Sequence, residues 1–225
     1  ANLQLRYSVW KSPVIRLQDM SEKVENGIAM VSCDYEIQEI GKLKLEYEIN
    51  NVGAIKVTQT MKAEEGREVS DMFRFGMQVV MPKSFNKIQY YGRGPIENYA
   101  DRKSTTFIGL YTQSVDEQFY PYIRPQENGT KSDIRWWNIT NAAGKGLRVT
   151  SEEPFSASAL HYTIESLDEG KKKINRHSTE ISEADLTNLL IDKAQMGLGC
   201  VNSWGALPRE EYRLKYGAYK FVFML

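Results

Sequence analysis

Apolar and polar residues alternate one for one along much of this chain. In KLKLEYEI (42 to 49), Leu43, Leu45, Tyr47 and Ile49 interleave with Lys42, Lys44, Glu46 and Glu48, which is what a strand with one buried and one wetted face requires. The same period runs through FRFGMQVVM, with Phe73, Phe75, Met77, Val79 and Met81 on one side, and through FSASALHY from Phe155. Turn signals punctuate these runs: NNVG at 50 to 53, GKG at 144 to 146, and YGAY at 216 to 219 ahead of a closing strand, KFVFML. Many short strands at hairpin spacing predict an all-β sandwich or barrel. Helical signals are few. Thr163 is placed to cap a short surface helix in TIESLDEGKKK (163 to 173), with Ser166 at the box position and Gly170 limiting its length. STEISEADLTNLL (178 to 190) is expected to add a turn or two, with Leu186, Leu189 and Leu190 on one face.

The texture changes in the middle of the chain. From YYGRGPIENYADR at 90 through FYPYIRPQENG at 119, aromatics interleave with Pro95, Pro121, Pro125 and charged or amide residues, a composition that suits long ordered loops more than strands. Such loops suit sugar contact, because the C–H faces of a sugar stack on rings while its hydroxyls need donors and acceptors. They suit interdomain packing equally well, and on texture alone packing is the preferred reading. No internal repeat, low-complexity tract or Pro/Gly/Ser-rich linker marks a domain boundary, and 225 residues lie within what one large β unit fills.

Composition narrows the partners. Hydrophobic residues at 41% supply a packed interior, and 26% charged residues supply a wet surface. Lys+Arg and Asp+Glu both number 29, so the positive field that would hold nucleic acid or an anionic membrane is missing. No apolar run approaches the roughly 20 residues that span a bilayer, and the opening ANLQLRYSVWK has no targeting pattern. Cys33 and Cys200 read as free thiols, Cys33 as a small buried hydrophobe. With only His161 and His177 beside them, close ligand pairs are absent and no metal site is expected in the chain. Cytoplasm and periplasm are both compatible with two free thiols.

Four carboxylates, Glu97, Asp101, Glu127 and Asp133, lie in the loop-rich middle. A glycosidase needs a pair roughly 5 to 9.5 Å apart across the scissile bond. Nothing in the spacing selects such a pair, and Arg93, Arg102, Arg124 and Arg135 are close in sequence, so Arg–carboxylate bridges locking long loops are the preferred reading. His161 and His177 have no nucleophile motif nearby and are read as structural, the lysines at 171 to 173 as a solvated patch. Asn128-Gly-Thr130 and Asn138-Ile-Thr140 match the glycosylation triplet, a pattern frequent by chance. Trp204, in GLGCVNSWGALPRE (197 to 210), is the outlier: a large apolar residue among turn signals, between a strand ending near Met196 and one expected near Tyr212. Residues alone leave open whether it folds back onto the core or stands exposed.

Four blocks, YYGRGPIENYADR (90 to 102), YPYIRPQENG (120 to 129), the FSAS run at 155 and QMGLGCVNSWG (195 to 205), together resemble the C-terminal domain of the large β-galactosidases in the second glycoside hydrolase family. Their order and spacing match over roughly residues 70 to 225, while the first 70 are similar only in character; an RAPTDND-type segment expected just upstream is missing, so the chain is expected to begin inside a longer polypeptide. The resemblance implies a single large antiparallel β-supersandwich over 1 to 225, galactose mutarotase-like. It also implies that the hydrolytic glutamates come from a central (β/α)-barrel elsewhere, on Asn-Glu and Glu-Tyr-x-His segments. No asparagine here is followed by glutamate, so no catalytic residue is expected in this chain.

In that family the tryptophan matching Trp204 extends into the barrel's active site as a platform for the sugar, and Asn202 and Ser203 are the neighbours expected to hydrogen-bond there. Relatives often read Gly-Asp-Asp-Ser-Trp, where this chain has Cys200, Val201 and Asn202. Glu97, Asn98, Arg102, Glu127 and Asn128 are expected to support the loops. The implied partners are a β-galactoside such as lactose, the remaining domains of the parent enzyme and a homo-oligomer, with no cofactor in this chain and any Mg or Na bound in other domains. Two other functions fit such a fold: a free-standing aldose 1-epimerase, against which the absence of an NHPYF-like block counts, and a carbohydrate-binding module, which would need exposed aromatics aligned on one face.

Overall fold

A computed structural model describes residues 3–168, 177–199, 202 and 205–225. Eleven strands run through them: β1 (Ile15–Glu25), β2 (Ile28–Ile37), β3 (Gly41–Ile49), β4 (Ile55–Ala63), β5 (Arg74–Met81), β6 (Lys87–Gly94), β7 (Phe107–Ser114), β8 (Lys131–Thr140), β9 (Gly146–Leu160), β10 (Thr187–Gln195) and β11 (Tyr219–Met224). Their pairings are all antiparallel. Helix among the described residues is confined to α1 (Leu3–Arg6), α2 (Ser8–Lys11), α3 (Ile164–Leu167) and three single 3₁₀ turns. None of these helices is long and apolar enough to cross a membrane.

The hydrogen-bonded order is β1-β2-β3-β4-β11-β9-β8-β6-β7, with β10 joined to β9 and carrying β5 on its far side. The 15-residue β9 makes this possible. Its first part lies between β8 and β11, and its last residues, Ser156 to Leu160, pair with β10. β5 is thereby folded over β4 and β11 instead of extending their ladder. The Phe75 ring meets Tyr219 of β11 at 5.4 Å, and Gln59 of β4 donates from Nε2 across the core to the Gly76 carbonyl at 3.2 Å. This is the all-β sandwich that the period-two pattern predicts. Inward positions alternate as expected: Ile88 and Tyr90 on β6, Trp137 and Ile139 on β8, and Phe221 and Phe223 on β11 are buried in one cluster, with Trp137 stacked on Tyr90 at 5.0 Å. Each such side chain contributes roughly 1.5–3 kcal/mol relative to exposure.

The turn signals also fall where expected. Asn50 Oδ1 accepts from the amides of Val52 and Ala54 between β3 and β4, and Asn141 repeats the device before β9. Thr163 Oγ1 accepts from Ser166 N at 3.1 Å and caps α3; the residues from 169 to 173 of that expected helix lie outside the described residues. Cys33 is buried on β2; Cys200 and the lysines at 171 to 173 are outside the described residues.

Three expectations are corrected. The segment 178 to 190 is not helical beyond the single 3₁₀ turn Ser178–Glu180, and Leu189 and Leu190 lie on β10. β10 is paired on both edges, by β5 and β9, and buried on both faces, so no alternation distinguishes it from a helix in sequence; its neighbours decide. Secondly, the block at 90 to 102 opens as strand, because Tyr90 to Gly94 complete β6. Thirdly, no strand begins near Tyr212, which closes a 3₁₀ turn, Glu210–Tyr212; Leu214 makes an isolated bridge to Met72, and β11 starts at Tyr219.

Candidate sugar-facing loops

Two long connections, 95 to 106 after β6 and 115 to 130 before β8, are tied to each other, and the first meets the segment that follows β10. Asn98 is completely buried and works as a four-way tie. Its Nδ2 donates to the carbonyls of Arg93 and Ile96, both at 3.0 Å, and its Oδ1 accepts from the amide and hydroxyl of Ser132. Asn128 does the same for the second loop, accepting from Tyr120 N at 2.8 Å and donating to Tyr120 O at 2.6 Å. An amide has one acceptor and one donor end, which is what two strands of irregular backbone need where no ladder runs. With both ends committed and the residue buried, Asn128 is no glycosylation acceptor in this fold.

Glu97 joins the two loops. It accepts from Arg102, from the Tyr122 hydroxyl, from Tyr99 Oη at 3.3 Å and from Gly129 N at 2.8 Å. Burial and the Glu97 carboxylate push the Tyr122 phenol up to about 12, so it stays a donor. The Arg102 guanidinium lies over the rings of Tyr99 and Tyr122, 5.1 and 5.9 Å from their centroids. Asp133, in the left-handed region at φ 53, accepts from Arg93 Nε at 2.9 Å and Lys103 Nζ at 3.1 Å. Burial would raise its carboxyl, but these two cations outweigh it and hold it below the usual range. Arg–carboxylate bridges therefore account for Glu97 and Asp133, as the sequence suggests.

Glu127 is bridged by a residue the sequence did not offer. Arg74, at the start of β5, donates to Glu127 at 2.6 Å and to Asp192 of β10 at 3.0 Å. Burial works against the Arg74 charge, yet the two carboxylates more than compensate and raise it. Burial likewise pushes Asp192 up to about 6 despite Arg74. Lys131 is buried next to this network with only neutral acceptors, Gln118 Oε1 at 2.8 Å and the Gly129 carbonyl at 3.1 Å, and burial lowers its ammonium to about 8.

Asp101 departs from the expected bridge altogether. Its carboxylate accepts from two consecutive backbone amides, Leu198 N at 3.0 Å and Gly199 N at 2.7 Å. These open the segment that leads to Trp204. Of the three substrate-contact candidates, Trp204 and Ser203 lie outside the described residues; Asn202 is exposed, and its Oδ1 accepts from Ala206 N at 3.4 Å. Beside the Asp101 contact is a recess of 190 Å³ whose polar lining includes Lys103, Ser132, Asp133, Lys193 and Gln195.

The histidines are structural. His161 is buried, with Nδ1 2.9 Å from the Leu186 carbonyl, and His177 caps the Ser178–Glu180 turn while Nδ1 lies 3.1 Å from the Ile123 carbonyl. Among the described residues no group of three or more His, Cys, Asp or Glu is placed to hold a metal ion.

Comparison with known proteins bears on all of this. A family model described as "Beta galactosidase small chain" matches residues 3–225. The chain is 31% identical over 194 residues to a β-galactosidase of Priestia megaterium, covering 85% of this chain and 17% of that protein. It is 28% identical over 212 residues to a β-galactosidase of Streptococcus thermophilus, covering 93% and 20%. Over 152 residues it is 34% identical to a β-galactosidase of Staphylococcus xylosus, covering 68% and 15%. The chain thus spans a fifth or less of the length of these relatives.

Proposed function

Because the chain belongs to the β-galactosidase small-chain family, we propose that it serves as the non-catalytic C-terminal domain of a retaining β-galactosidase and completes the pocket for terminal β-D-galactosides such as lactose. The whole of 1 to 225 acts as one supersandwich domain of mutarotase-like form. The reacting glutamates, and any Mg or Na, belong to the rest of the parent enzyme, which is a homo-oligomer. Trp204 gives the sugar a flat apolar platform at small entropic cost, and Asn202 and Ser203 offer hydrogen bonds beside it.

The observation that carries the reading is the family match over 3–225 in a chain covering 15 to 20% of the three relatives' length. The loop network supports it: the carboxylates of the middle segment are committed to arginines and backbone amides, leaving them as supports and not as an acid–nucleophile pair. In the full-length enzyme Trp204→Ala is expected to raise KM and the inhibition constant of glucose-like acceptors by roughly tenfold, as removal of one aromatic platform should. Unchanged values would refute the platform. The isolated chain is expected to hydrolyse no aryl β-galactoside above buffer, and measurable turnover would place catalytic groups within it.

A further inference from the structure

We infer that Asp101 is the positioning residue of the segment carrying Trp204, fixing its stem through two backbone amides. The inference rests on the platform reading of Trp204 for its functional consequence, and on geometry for the contact itself.

Asp101 is held rigidly before it holds anything else. Tyr99 and Arg102 exchange backbone hydrogen bonds, Arg102 N to Tyr99 O at 2.9 Å and Tyr99 N to Arg102 O at 3.2 Å, so Asp101 sits in a closed four-residue turn. One flank of that turn is the buried Tyr99 and the other is Arg102, tied to Glu97. From this turn the two carboxylate oxygens reach successive amides of Leu198 and Gly199, one oxygen to each. Consecutive N–H groups of this kind form a small anion-binding concavity when the second residue has positive φ, and Gly199 has φ 74. Gly197 is needed for a different reason: a Cβ there would lie 2.6 to 2.9 Å from the Asp101 carboxyl atoms. On its other side the stem is tied to the core by Met196 N to Phe73 O at 2.9 Å and Gly197 N to Tyr212 O at 2.8 Å. The stem is therefore gripped on one side by the sandwich and on the other by the Asp101 carboxylate, which belongs to the loop after β6.

The geometry favours a carboxylate. Leu198 N meets one oxygen at 3.0 Å and Gly199 N meets the other at 2.7 Å, so an asparagine in the same pose sets its NH₂ against one of the two donors. Asp101→Asn keeps the size of the side chain and breaks half of the grip. Misplacing a sugar-facing group by a fraction of its width weakens binding far more than the small displacement suggests.

The test is a double-mutant cycle in the full-length enzyme with Asp101→Asn, Trp204→Ala and both, reading kcat and KM for an aryl β-galactoside and the inhibition constant of glucose. Asp101→Asn is expected to raise KM and that constant about tenfold with a smaller change in kcat, and to do so less than about twofold when Trp204 is already alanine. Gly197→Ala, which displaces the carboxylate from the opposite side, is expected to give the same signature, and it keeps the test open if Asp101→Asn fails to fold. An Asp101→Asn effect of equal size in both backgrounds would overturn the inference. Amide hydrogen exchange at Leu198 and Gly199 separates the two ideas: if Trp204→Ala alone is silent the platform fails, while exchange at least tenfold faster in Asp101→Asn still establishes the clamp and unchanged exchange removes it.

Discussion

The hairpin β1–β2 and the loops around Asn98 invert the usual relation between regularity and burial. β1 is laddered to β2 from Ile15↔Ile37 to Glu25↔Ile28, with one register shift between Leu17 and Asp19, and yet it is exposed at all eleven positions. The loops have no ladder, and they bury Asn98, Tyr99, Asn128 and Thr130 almost completely. In β1 the ladder to β2 supplies the backbone bonds while every residue stays exposed, so its side chains carry little of the structure; those of β2, with Cys33 and Ile37 buried, carry more. In the loops backbone bonds are scattered, such as Tyr99 with Arg102 and Asn98 N to Thr130 O, so side-chain amides and carboxylates supply many of the donors and acceptors that burial strips of water. Side-chain identity should therefore matter little in β1 and a great deal in the loops.

The sharpest break of that comparison is at Asn98. Asn98→Ala strands the amide and hydroxyl of Ser132 in a buried site and the Arg93 and Ile96 carbonyls in a partly buried one. With each orphaned group costing about 1–3 kcal/mol and some relaxation, a loss of roughly 3–5 kcal/mol is expected. Urea denaturation of the chain measures it. A loss below about 1 kcal/mol would show that the loops do not depend on their side chains in the way proposed.

What the sequence made legible follows the same division. Period two exposed β5 and β11 because one face of each meets the core and the other is more open to water, and it exposed β3 through Leu43 and Tyr47, which pack partly buried against the core. It showed only the end of β10, as the strand expected to finish near Met196; the start at Thr187, inside a segment expected to be helical, is settled by the tertiary pairing to β5 and β9. In the loops, composition correctly marked aromatic and polar order, and the arginines it offered include Arg102 for Glu97 and Arg93 for Asp133. Of these two only the Arg102–Glu97 pair, five residues apart, is close in sequence; proximity does not account for Arg93 with Asp133, 40 residues away, for Arg74 with Glu127, 53 residues away, or for the amides that Asp101 grips 97 and 98 residues on. A backbone amide carries no residue-type signature, so a carboxylate that clamps one looks in sequence like any unpaired acid.

Lys131 offers a smaller effect with a defined sign. Its ammonium is lowered from the usual 10.5 to about 8 by burial, so between those values the unfolded chain binds the proton more tightly than the folded one. Stability attributable to this residue therefore rises as pH climbs from about 8 toward 10.5, and below about 8 the full cost of roughly 3 kcal/mol is present. Lys131→Met removes the charge but leaves Gln118 Oε1 and the Gly129 carbonyl short of a donor, offsetting part of the gain. At pH 7 the variant is expected to be within about 2 kcal/mol of the parent or more stable, and the difference between them is expected to shift toward the parent by pH 10. Equal pH profiles from 7 to 10 would mean that the lysine is solvated.

The smallest effects belong to β1, and their smallness is the point. Met20 and Val24 stand 56% and 77% exposed on a strand whose partners on β2 are Cys33 and Ala29. Removing apolar area that water already covers changes neither state much, so Met20→Thr and Val24→Thr, which keep strand preference, are expected to move the stability of the chain by less than about 0.5 kcal/mol. The same exchange at Val57 of β4, fully buried in the core, puts an unpartnered hydroxyl among hydrocarbons and is expected to cost about 1–3 kcal/mol. Denaturation midpoints of the three variants side by side measure the gap. If the β1 variants lost as much as Val57→Thr, the strand's side chains would have to be buried in solution, and β1 could no longer stand as the example of a strand held by its ladder while its own side chains stay in water.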